Sequence, residues 1–197
     1  MTTHSVEHSD EFRAGRELGL NHVKLGMWLF LASEVMFFGG LISAFLHYKL
    51  NNPSLESGLL DVVLVGGNTF VLLTSSYTVV MALAAARAGN PAGLVRNLLL
   101  TAMLGAAFLA GQGYEFASLI RVGMTPTSSV FGSSFFTLTG FHGLHVLVGL
   151  LWALRNLAKA LRGGFGQGRA LGVEVFGLYW HFVDIVWIVL FTVIYLI

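Results

Sequence analysis

Three stretches place ionisable side chains inside otherwise apolar sequence. FLASEVMFFGG (30–40) carries one carboxylate, Glu34; GFHGLHV (140–146) carries His142 and His145; YWHFVDIVW (179–187) carries His181 and Asp184. Where water is scarce, carboxyl and imidazole groups have three uses. They can converge on a metal ion, since histidine pairs and carboxylates at i, i+3 share a helix face, although the Glu-x-x-His pairs of di-iron bundles are missing here. They can pass protons, as Asp, Glu and His do in membrane pumps. They can also hydrogen-bond across helices and fix packing, the reading that spacing alone favours for His142, His145, His181 and Asp184. Glu34 stands apart. Its neighbours one turn away are Phe30, Leu31, Phe37 and Phe38, none able to pair with it, so burial among them is expected to hold it as a neutral acid near neutral pH.

The elements that must position these groups follow from composition. The chain has 197 residues, 55% hydrophobic and only 11% charged, against roughly 25% charged in a soluble domain. Five stretches suffice to cross a hydrocarbon core of about 30 Å, at about 26–46, 62–86, 97–120, 130–154 and 175–197. The expected fold class is therefore an all-α integral membrane protein, a bundle of five transmembrane helices. Residues 1–24 read as a polar cytoplasmic tail and 25–197 as the membrane domain, with no room for a soluble catalytic domain. Turn residues punctuate the connectors at NNPS (51–54), AGNPAG (88–93), GMTPTSS (123–129) and GGFGQG (163–168). Nine of the eleven lysines and arginines fall on the N-terminal side of this topology, against Lys49 and Arg121 on the other, so the N-terminus is expected inside and the C-terminus outside. The absence of cysteine excludes disulfides, thiolate metal sites and thioether-linked haem, and no basic cluster suggests nucleic acid.

Helical rise gives depths of about 12 Å for Glu34, 13.5 Å for His145 and Asp184, 18 Å for His142 and 9 Å for His181. The groups are thus expected in one layer of the inner leaflet, facing each other or a wet pocket, with Asp184 as a partner of His181. Asn68 and Glu115 read as a separate pair of helix contacts nearer the outer surface. Trp28 and Trp180 read as an interfacial belt. Glycines inside the spans suit close helix approach, hence a tight bundle.

Five segments, LGMWLFLASEVMFFGGLISAFLHY (25–48), NTFVLLTSSYTVVMA (68–82), GQGYEFASL (111–119), FFTLTGFHGLHVLVGLLW (135–152) and YWHFVDIVWIVLFTVIYLI (179–197), together resemble subunit III of the haem–copper respiratory oxidases. The match covers all five spans in order, and the chain looks like the five-helix bacterial form, without the two extra N-terminal helices of longer members. The resemblance implies an accessory subunit with no catalytic centre, which binds no redox metal while haem and copper sit in partner subunits. It implies subunit I as main contact, with subunit II, small subunits or a respiratory supercomplex beyond, in the bacterial cytoplasmic membrane. Glu34 matches the family's carbodiimide-reactive acid. Family members hold structural phospholipids in a cleft and are thought to support the catalytic subunit, proton uptake and oxygen access. The lipid-binding residues of the two extra helices have no counterpart here. Arg155, Lys159, Arg162 and Arg169 are expected to meet anionic headgroups on generic electrostatic grounds. Two other readings are a partner of a nitric oxide reductase and an independent proton-coupled transporter.

Overall fold

The computed structural model describes residues 22–51, 61–163 and 170–197, and their regular structure is helical. The helices are α1 His22–Asn51, α2 Val62–Arg87, α3 Pro91–Arg121, α4 Val130–Leu161 and α5 Leu171–Phe191, the last continuing into a π-helical turn, Thr192–Leu196. All five are long and apolar enough to cross a membrane. Each outruns its apolar core because the polar flanks stay helical. α1, for example, starts at His22 and runs to Asn51. Side chains set three of the starts. Asp61 accepts from the N–H groups of Val63 and Leu64, Asn90 from Gly93 with Pro91 in the first turn, and Ser129 from Gly132. Each satisfies donors that a helix leaves free at its N-terminus.

α5 is the centre of the bundle. It packs against α1, α2 and α4, while α3 bridges α2 and α4. Consecutive helices α1 and α2 lie mainly on different sides of α5 rather than on each other. Two tryptophans of α5 fill the core: Trp180 and Trp187 are almost wholly buried. Their indole N–H groups donate to Ser75 and Thr69 of α2 at 2.9 and 2.8 Å. Trp180 therefore belongs to the core and not to the interfacial belt expected for it, whereas Trp28 is 58% exposed. The Trp180 ring fits because α3 and α4 present glycine to it. A Cβ at Gly105 or Gly149 would stand 2.8 Å from ring carbons, well inside contact distance. Between helices in lipid, such dispersion contacts supply most of the adhesion.

Three polar clasps hold α1, the helix least buried in the bundle. Lys24 binds Glu174 of α5 at 2.6 Å, joined by Arg87 of α2 at 3.4 Å. At the opposite end, Lys49 donates to the carbonyls of Val193 and Ile194 at 3.1 and 2.9 Å. Those carbonyls lie in the π-helical turn, where the ordinary helical acceptor pattern is broken. Glu34 makes the third clasp, midway.

Candidate functional site

Glu34 has no partner on its own helix, as its flanking phenylalanines and leucine require, but α4 provides one. Its Oε2 lies 3.2 Å from His145 Nε2, and both side chains are about one-sixth exposed. The other ring nitrogen fixes the chemistry. His145 Nδ1 is 2.7 Å from the Phe141 carbonyl one turn earlier. A carbonyl only accepts, so Nδ1 carries a hydrogen. Nε2 is then the nitrogen that faces the Glu34 carboxyl. Glu34 is therefore not solitary among aromatic groups; its carboxyl meets the imidazole of His145.

Aromatic groups wall the pair. The Phe38 ring meets His145 edge-on at 5.1 Å, and Phe37 packs edge-on against both Phe38 and Phe141. Tyr179 of α5 donates to the backbone carbonyl of His145 at 2.9 Å and lies over Phe30. The site is thus assembled from α1, α4 and α5.

The remaining layer does not form one network. His181 Nδ1 is hydrogen-bonded to the Ser76 hydroxyl of α2, so its partner is that serine and not Asp184. Asp184 is 3% exposed, and neither of its oxygens has a hydrogen-bond partner among the described residues. His142 is fully buried, its ring stacked on Trp187 at 4.8 Å and edge-on to Phe108 at 5.9 Å, with neither nitrogen hydrogen-bonded among the described residues. Shared helices were legible from the sequence; the direction of each side chain was not. No three His, Asp or Glu side chains converge as metal ligands among the described residues. Asn68 and Glu115 are helix contacts but not with each other. Asn68 donates to the Phe108 carbonyl, and Glu115 accepts from Tyr195.

At the end of α4, Arg155, Lys159 and Arg162 line a cavity of about 480 Å³ with Trp152, Asn156 and Gly172. The Asn156 amide nitrogen there is buried without a hydrogen-bond partner among the described residues. Arg169 lies outside the described residues. Sequence reasoning missed Ser76, Tyr179 and the Lys24–Glu174–Arg87 cluster. A charge in the last polar turn before a span was the available signal for Lys24.

The model of the family described as cytochrome c oxidase subunit III matches residues 16–197 of this chain. The chain belongs to that family. A probable cytochrome c oxidase subunit 3 of Mycobacterium leprae is 43% identical over 182 residues, which cover 90% of this chain and 89% of that one. The Corynebacterium diphtheriae cytochrome c oxidase subunit 3 is 42% identical over 182 residues, with the same coverage. The Bacillus subtilis subunit is 40% identical over 177 residues, 87% of this chain and 84% of its own. Subunit III membership and five membrane-crossing helices make this a multi-pass membrane protein.

Proposed function

We propose that this chain is the accessory, non-redox subunit III of a proton-pumping terminal oxidase, seated against the haem-bearing subunit I in a bacterial cytoplasmic membrane with its N-terminus inside. The observation that carries this reading is the match to subunit III over residues 16–197, which spans every described helix. The geometry supports a structural role. His142 and Asp184 are buried in packing contacts and Glu34 pairs with His145, and the chemistry of oxygen reduction is left to the haem and copper of partner subunits.

Glu34 and His145 act as a clasp between α1 and α4. Arg155, Lys159 and Arg162, with Asn156, receive an anionic lipid headgroup in the cavity they line. Affinity purification of the tagged chain from its native membrane tests the main reading. A haem-absorbing partner in equal amount is expected; a colourless, solitary chain would favour the transporter, and a nitric oxide reductase partner would redirect the assignment.

A further inference from the structure

α4 has 32 residues and so runs about 48 Å, well beyond a hydrocarbon core of about 30 Å. Its last two turns belong to the polar zone, and there one face of the helix turns basic. Arg155, Lys159 and Arg162, at i, i+4 and i+7, share a side and line the cavity of about 480 Å³, a size within the roughly 300–1,000 Å³ of small-molecule sites. No carboxylate lines it among the described residues. The start of α5 adds Gly172 to the wall, and no side chain caps the first N–H groups of that helix, whose N-terminus carries partial positive charge. The acid in its first turn, Glu174, is taken up by Lys24 and Arg87. Asn156 completes the set. It is 6% exposed, and its amide nitrogen is a donor with no hydrogen-bond partner among the described residues. A buried, unanswered donor beneath a basic face marks the place of an acceptor oxygen.

We propose that this cavity binds a phosphomonoester dianion, and this rests on reading it as an anion site. Charge and donors together select the ester. A terminal phosphate carries about −1.5 to −2 charge at neutral pH and three acceptor oxygens, whereas a diester carries a single charge and two free oxygens. Arg155 and Arg162 take two of the three oxygens in charge-assisted hydrogen bonds, and the Asn156 amide donates to the third at the buried end. A diester would leave one of these donors unanswered. Among the lining side chains only Trp152 and Ala158 are apolar, so the cavity takes the phosphate head and no acyl chain. The carrier of that head is a soluble ester or the lipid phosphatidic acid, which presents the same group.

Native mass spectrometry of the purified oxidase complex in phosphatidylcholine nanodiscs tests the site, with glycerol 3-phosphate in solution in one arm and phosphatidic acid or phosphatidylglycerol in the bilayer in the others. One equivalent of monoester should be retained. Glycerol 3-phosphate bound in the absence of phosphatidic acid identifies a soluble source, and phosphatidic acid bound alone identifies a lipid one. Phosphatidylglycerol, a diester, should be held about tenfold more weakly, the loss of one hydrogen bond to a charged group. Arg155→Gln and Arg162→Gln should each weaken monoester retention about fivefold. Asn156→Asp, which sets a carboxylate at the buried position with little change in size, should abolish it, whereas Arg96→Gln, a cation of α3 outside the cavity, should leave it in place. Equal retention of monoester and diester, both lost in the arginine variants, would overturn the monoester and keep the anion site. Retention of neither, indifference to Arg155→Gln and Arg162→Gln, or an acidic partner segment cross-linked at Lys159 would overturn both. The haem spectrum of each preparation reports the oxidase reading separately, so a haem-bearing complex without bound phosphate fails the cavity alone.

Discussion

Glu34 and His145 are set by what each lacks nearby: Glu34 has no polar neighbour on α1, and His145 has spent Nδ1 on the Phe141 carbonyl. Glu34→Gln keeps a donor for Nε2, so complex yield and melting temperature should stay close to wild type. His145→Leu strands a carboxyl beside aromatic rings and should cost about 1–3 kcal/mol, the penalty for an unsatisfied buried group, measured as loss of thermal stability in detergent. Asp184 gives the opposite expectation. With His181 bound to Ser76 and neither Asp184 oxygen in a well-formed hydrogen bond among the described residues, Asp184→Leu removes a desolvated polar group and breaks at most a weak contact with Ser76. Its melting temperature should be unchanged or raised, and a marked fall would show that the carboxyl has a partner in the assembled complex.

At the scale of elements, α5 is the pin around which α1, α2 and α4 are arranged, and glycine decides how closely. Gly149→Ala would drive a methyl to 2.8 Å from Trp180. Overpacking of this kind typically costs about 1–3 kcal/mol, so a lower melting temperature is expected. A matched Ala at Gly39, which has nothing within 4 Å, should be silent. Lys49→Met should release the carbonyls of Val193 and Ile194 and speed amide exchange in the π-helical turn. The five helices were legible because apolar runs of that length allow no other backbone in lipid. Azimuth did not follow to the residue: His142 and His145, at i, i+3, share a face in outline, yet His145 meets Glu34 of α1 while His142 stacks on Trp187 of α5. Hence the Glu34–His145 pair, the Ser76 partner of His181 and the burial of Trp180 needed the packed bundle. The Lys24–Glu174–Arg87 cluster escaped for another reason: its members are far apart in sequence and belong to polar ends.

At the scale of the whole molecule, the bundle is a scaffold with His142, Glu115 and Asp184 buried inside it and largely apolar outer faces along the spans. Long hydrophobic side chains such as Phe70, Met103 and Leu151 are more than half exposed, suited to lipid and to a membrane-embedded partner. The central claim is that this subunit carries no electrons and steadies a chain that does. Stripping it from the purified oxidase with detergent, then measuring iron and copper in both fractions, tests that claim most directly. All haem and copper should stay with the residual complex, which should begin turnover at close to its normal rate; metal leaving in stoichiometric amount with this chain would contradict the account.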